Sequence, residues 1–284
     1  MGSGKWSTDA FATYSVSTGL HSARSVKDVY TRGRIQTPLD PKGIKLRESR
    51  DSADNPLSTP IIIGLDVTGS MGGLATSIAK DQLNELITKI YDEKPCTDPQ
   101  LMFLAIGDSY CDSAPLQATQ FESDIRIAEQ LREVYFEGGG GGNDGESYNL
   151  AYYFAAKKTK TDSLDKRHQK GFLFTIGDEN ILDEIPRAHI KEFLGDDVDE
   201  DVKTSALLNE VQKKYEVFHL VVKPRGQDEV ARWKNILGER AIEVKDVEKI
   251  PQIITDLIKL SKMKPEDTGK KKKREKKPAD VVVD

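Results

Sequence analysis

Three oxygen-bearing side chains stand at alternate positions in "LDVTGSMGG", residues 65–73: Asp66, Thr68 and Ser70. Where a strand runs out into a loop, side chains at i, i+2 and i+4 can face one point. Here they would offer it one carboxylate and two hydroxyls. Such hard oxygen donors suit Mg²⁺ or Mn²⁺ and not zinc. Mg²⁺ holds octahedral oxygens at about 2.0–2.1 Å and parts reluctantly with its waters, so small hydroxyls leave room for water and an outside ligand. Two more aspartates end apolar runs, Asp108 in "LMFLAIGD" and Asp178 in "GFLFTIGD", and five glycines, Gly138 to Gly142, precede "NDGES". Glycine alone reports only that side chains were unwelcome. What the loop serves depends on what stands beside it.

The elements that would position these residues follow from apolar patterning. "PIIIGLD" (60–66) is a continuous apolar run, as expected for a central parallel strand buried on both faces. "LMFLAIGD" (101–108), "GFLFTIGD" (171–178), "YEVFHLVV" (215–222) and "AIEV" (241–244) read as further strands, with "LQATQFE" (116–122) as a short edge strand. Between them, Ala79, Leu83, Leu86, Ile87 and Ile90 recur at helical spacing. "SDIRIAEQLREVYF" reads as a helix opened by Ser123 or Asp124. An apolar helix is expected from about Glu146 to Lys157, and a last one near Pro251, burying Ile250, Ile253, Ile254 and Leu257. This alternation predicts an α/β fold: a doubly wound, mostly parallel open sheet flanked by helices, Rossmann-like, with an irregular N-terminal extension. Such sheets bind ligands beyond the carboxyl ends of their strands. Asp66, Asp108, Asp178 and the glycine loop all fall at that edge.

The run Asp66-Val67-Thr68-Gly69-Ser70-Met71 resembles the D-x-[ST]-x-S motif of von Willebrand factor type A domains, the first part of their metal-ion-dependent adhesion site. The resemblance covers residues 58–262 and is to intracellular domains of prokaryotic or phage type. It implies an aspartate ending a later core strand, the place of Asp178, and a threonine after a glycine-rich loop. At that second place this chain has Glu146 or Ser147. The resemblance implies Mg²⁺ or Mn²⁺ held by Asp66, Thr68, Ser70 and Asp178, completed by Glu146 or Ser147. It also implies that the glycine loop packs against a metal site and not a phosphate.

The substitution matters electrically. Asp66 and Asp178 just neutralise a divalent ion, which stays receptive to an outside carboxylate. If Glu146 also coordinates, the site is net negative. Three ionised carboxylates around an empty site would repel by about 3 kcal/mol per pair at 5 Å and an effective dielectric of 20. "NDGE" (143–146) equally fits a capping box, with Asn143 capping and Glu146 reaching back, which leaves Ser147 as the ligand. Asp144 is a further candidate. Asp108 reads as a turn former, with a supporting role behind the ligands as the alternative.

Enzyme readings find less. "GSGKWS" lacks the leading glycine and buried strand of a phosphate-binding loop. Ser70, Asp178 and His219 follow the order of a hydrolase triad, but His219 lies mid-strand, where a packed histidine is expected. A haloacid-dehalogenase-type phosphatase needs an aspartate where this chain has Thr68, and the four histidines form no ligand set. No catalytic activity is expected. The alternatives kept are a metal-dependent phosphohydrolase and a structural assembly component in which the metal only rigidifies loops.

With 284 residues, 37% hydrophobic and 31% charged, the chain has enough apolar content for one substantial core and none for a bilayer-spanning run. No export signal is read at the N-terminus, and Cys96 and Cys111 are too few for a disulfide framework, so a cytoplasmic setting is expected. The expected organisation is an extension over 1–56, irregular or strapped on the surface, a domain over 57–262, and a disordered basic tail over 263–284. Residues 262–284 hold nine basic and five acidic residues, a local +4 within a net charge of −5. That tail could engage nucleic acid by counterion release, but a solubilising role is favoured. "GDDVDEDV" (195–202) lacks the glycine and distal glutamate of a calcium loop and reads as a solvated acidic loop. The resemblance implies a protein partner presenting an acidic side chain, an AAA+ ATPase or another assembly component among the candidates, and no membrane.

Overall fold

The computed structural model describes residues 4–139, 145–222 and 227–262. Asn143, Asp144 and the basic tail therefore lie outside the described residues, and with them the capping box and the tail's expected disorder. Six strands form the central sheet: β1 (Thr59–Asp66), β2 (Pro99–Ile106), β3 (Leu116–Ala118), β4 (Gly171–Gly177), β5 (Tyr215–Val222) and β6 (Ala241–Val244). Their order is β3-β2-β1-β4-β5-β6, with β3 antiparallel at one edge and every other pairing parallel. The architecture is α/β with a mostly parallel central sheet flanked by helices.

The apolar runs are continuous because both faces are covered. On β1, Ile61, Ile63 and Leu65 enter one core cluster while Ile62 enters the other. On β2, Leu101, Phe103 and Ala105 face the first cluster, and Met102, Leu104 and Ile106 the second. This two-residue alternation is the strand's own periodicity turned into two cores.

Eight of the helices, in chain order, are α1 (Thr8–Ser17), α2 (Gly72–Ser77), α3 (Leu83–Glu93), α4 (Arg126–Arg132), α5 (Tyr148–Lys157), α6 (Thr204–Lys214), α7 (Gln227–Leu237) and α8 (Ile250–Lys262), and shorter ones span Val26–Val29, Asp162–Arg167 and Arg187–His189. Helices α2, α3, α4 and α8 supply the first cluster, and α5, α6 and α7 the second. A π-helical turn at Ile78–Gln82 joins α2 to α3, and Ala79, Leu83, Leu86, Ile87 and Ile90 are all buried as their spacing predicts. Among the described residues, no helix is long and apolar enough to cross a membrane.

Residues 4–56 lie against this body. Helix α1 is capped by Ser7, whose hydroxyl accepts from Ala10 N–H at 3.2 Å. Phe11, Leu20, Val29, Tyr30 and Leu39 are buried in the first cluster, and Arg47–Ser49 pairs in parallel with Thr159–Thr161.

The strand order places the site. From β1 the chain moves outward to β2 and β3, then returns across β1 to β4 and proceeds the other way. The connections leaving β1 and β4 therefore lead to opposite sides of the sheet, the arrangement in which such sheets bind ligands at the carboxyl ends of their strands. Asp66 ends β1 and Asp178 follows β4 directly.

Candidate metal centre

Asp66 is fully buried at the end of β1, and both its oxygens are engaged. Oδ1 accepts from the Thr68 backbone N–H at 2.9 Å and from the Thr68 hydroxyl at 2.6 Å. Oδ2 accepts from the Tyr148 hydroxyl at 2.8 Å. Thr68 Oγ1 lies 3.4 Å from Ser70 Oγ, and Ser70 Oγ donates to Asp178 Oδ1 at 3.1 Å. Four of the six sequence-derived candidates thus stand in one line of oxygen contacts between the ends of β1 and β4. Ser70 is exposed, while Thr68 and Asp178 are buried.

Glu146 is tied by its backbone to the segment that follows Asp178. Its N–H donates to the Asn180 carbonyl at 2.8 Å, and it bridges in parallel to Ile181 just past Asp178. Its side chain is buried, and Oε2 finds no hydrogen-bond partner among the described residues. Burial, then the charges of Asp66, Asp108 and Asp112, push its carboxyl up to about 9. Burial likewise raises Asp66 to about 6, with the Thr68 and Tyr148 hydrogen bonds pulling the other way. Burial thus holds two acids above their ordinary range.

Ser147 is placed differently. Its hydroxyl donates to Ser109 Oγ at 3.0 Å and accepts from Ser109 N–H at 2.9 Å, and Ser109 Oγ is 3.0 Å from His189 Nδ1. Ser147 therefore ties the start of α5 to the loop after β2. Asp108 turns that loop: its Oδ1 accepts from Tyr110 N–H at 3.0 Å, and its carbonyl accepts from the N–H groups of Cys111 and Asp112. His219 is wholly buried, stacked on Trp233 at 3.5 Å, with Nδ1 2.8 Å from the Thr175 hydroxyl. Asp178 bonds Ser70, so the three residues of the triad order do not form a relay among these contacts.

The described part of the glycine run abuts the motif. Gly139 O accepts from Gly69 N–H at 3.1 Å, Gly138 has φ 67°, and a side chain at Gly139 would overlap the Asp112 carboxylate. Glycine is needed there because two loops and a carboxylate meet within contact distance.

Among the described residues, no three His, Cys, Asp or Glu side chains are arranged to hold a metal ion. A cation here would depend on hydroxyls as well as carboxylates. The hydroxyls are suitably turned: the protons of Thr68 and Ser70 point at carboxylates, which leaves their lone pairs available. The donor set and the orphaned Glu146 oxygen fit a hard divalent ion.

Sequence reasoning missed Tyr148 and Trp233. The apolar pattern from Glu146 to Lys157 assigns Tyr148 to a helix and gives it no further role. The signal that could have found it is Gly177, a glycine at a strand end where β-branched residues are the norm.

No protein-family model matches the chain, and no curated protein does. Among solved structures, the open conformation of the pilus adhesin SpaC from Lactobacillus rhamnosus GG is similar with a TM-score of 0.47 at 10% identity, over 76% of this chain and 31% of that one. Proximal thread matrix protein 1 from the mussel byssus is similar with a TM-score of 0.42 at 14% identity, over 78% of this chain and 47% of that one. The chain thus spans less than half the length of either. Likenesses this distant carry no argument about function.

Proposed function

We propose that the protein is a divalent-metal-dependent protein-binding module of the von Willebrand type A kind, acting as an adaptor in a multiprotein assembly. The observation that carries the reading is the Asp66–Thr68–Ser70–Asp178 line at the switch point of the sheet, together with the buried, unpartnered oxygen of Glu146. Asp66, Thr68, Ser70 and Asp178 would hold Mg²⁺ or Mn²⁺, completed by Glu146 or Ser147, the Ser147 hydroxyl also serving Ser109. When bound, such an ion supplies a Lewis-acidic position that takes an oxygen from outside.

The residues set the sign of that preference. Glu146, raised to about 9, is protonated at neutral pH in the metal-free chain. With Glu146 coordinated, its proton leaves and the site is net negative; only with Glu146 uncoordinated do Asp66 and Asp178 just balance a doubly charged ion. A partner's acidic side chain is the ligand such a balanced site accepts. Ser70, exposed at the rim, is the donor that partner would meet first. An AAA+ ATPase or another assembly component presenting a carboxylate would fit this chemistry.

Thermal unfolding with and without Mn²⁺ tests the assignment. Saturating ion at 100 times its Kd should stabilise the parent chain by about 2.7 kcal/mol. Asp66→Ala should remove that gain while its metal-free fold persists. Equal stabilisation of the variant would refute the site.

A further inference from the structure

We infer that Tyr148 is the positioning residue of this centre, its phenol fixing the plane of the Asp66 carboxylate from behind while a buried aromatic block holds the phenol in place. The inference rests on the metal-site reading above. Asp66 has two oxygens. Thr68 supplies both donors to Oδ1, and the Tyr148 hydroxyl is the donor to Oδ2, at 2.8 Å. A carboxylate bonded on both oxygens cannot rotate without losing a charge-assisted bond in a dry setting. Thr68 alone would leave it hinged about Cβ.

The phenol is itself immobilised. Tyr148 is wholly buried, and its ring stands edge-on to His219 (centroids 5.1 Å apart, 76°) and to Trp233 (5.5 Å, 75°). His219 and Trp233 stack on one another at 3.5 Å and 8°. These T-shaped and stacked contacts fill the space in which the ring could swing. The hydroxyl reaches Asp66 only by passing over Gly177, where any Cβ would overlap it. Gly177 is therefore a glycine for the sake of a side chain from another element.

The same block reaches the backbone next to the second acid. Trp233 Nε1 donates to the Glu179 carbonyl at 2.9 Å, one residue beyond Asp178. One aromatic cluster thus braces the ends of both β1 and β4. Outer groups that orient ligands in this way typically govern 10- to 100-fold in metal affinity.

The test is Mn²⁺ titration of the full chain, followed by the free-ion electron paramagnetic resonance signal, in the parent, Tyr148→Phe and Asp66→Ala. Tyr148→Phe keeps the ring and removes one hydroxyl. Its Mn²⁺ affinity should fall at least tenfold while its near-ultraviolet circular dichroism, which reads the aromatic block, keeps the parent's form. An unchanged affinity would overturn the positioning role and leave the metal site standing. No Mn²⁺ binding by the parent would overturn both. Should Tyr148→Phe not fold, para-fluorophenylalanine at position 148 takes its place, since it keeps the ring's length and removes the donor. The same fall is expected there, and parental affinity would again overturn the role.

Discussion

In metal-free solution, Glu146→Gln is expected to exceed the parent chain in stability by about 3 kcal/mol at pH 8, with the gap closing as the pH falls to 5. The carboxyl of Glu146 is buried and sits at about 9 in the folded chain, against an ordinary value of 4.5. Between those two values the unfolded chain has released the proton and the folded chain has kept it. The folded state therefore binds more protons, and stability falls as pH rises. The contribution is fully present below 4.5 and is lost on the way up through 9. At about 1.4 kcal/mol per pH unit, the interval from pH 5 to 8 offers up to about 4 kcal/mol, part of which local relaxation recovers. Glutamine keeps the shape and is neutral throughout. Asp66, raised to about 6, adds the same sign of dependence below pH 6, but it is common to both chains and cancels in their difference. Urea unfolding at pH 5, 6.5 and 8 in the presence of a chelator measures the gap. A gap independent of pH would mean that Glu146 is ionised in the folded chain and has a cationic partner.

Asp66, Thr68 and Ser70 were legible because their convergence is local: alternation at a strand end brings them together whatever the sheet does. Asp178 was legible because its strand ends with the same small, acidic signature, and the parallel order puts both ends at one rim. The strands themselves stood out because doubly covered strands read as unbroken apolar runs. Tyr148 could not be found that way. Its contact with Asp66 spans 82 positions and depends on the strand order, on the entry angle of α5 and on the missing side chain at Gly177. Helix α1 was hidden for another reason: between Thr8 and Ser17 its buried residues are Phe11 and Ser15, too little apolar surface to show a period. The bonding of Ser147 also escaped the sequence, since it turns on Ser109, a loop residue from beyond β2 that takes up the Ser147 hydroxyl.

Trp233→Ala should cost about 3–5 kcal/mol, the range for removing a buried large aromatic side chain. Trp233 is wholly enclosed, stacked on His219 and edge-on to Tyr148, so the hole it leaves is lined by rings that cannot collapse into it. The pH dependence distinguishes this site from any other buried tryptophan. Burial holds His219 well below its ordinary 6.5, so the folded parent keeps it neutral while the unfolded chain takes a proton below that value. Parent stability accordingly falls as pH drops through 6.5 and below. With Trp233 gone, water reaches the imidazole, the folded variant can take the proton, and that loss is relieved. The deficit of Trp233→Ala should thus shrink between pH 7 and pH 5, whereas a constant deficit would show that His219 stays dry without its stacking partner. Trp233→Phe separates packing from the polar bond: it retains a ring against His219 and loses the Nε1–H donated to the Glu179 carbonyl. Its smaller cost, about 1–2 kcal/mol, reflects a lost hydrogen bond and a smaller ring. If Mn²⁺ affinity falls in Trp233→Phe as well, the carbonyl brace beside Asp178 matters to the centre as the phenol behind Asp66 does. If stability falls and affinity holds, the brace serves the fold, and Tyr148 alone orients the site.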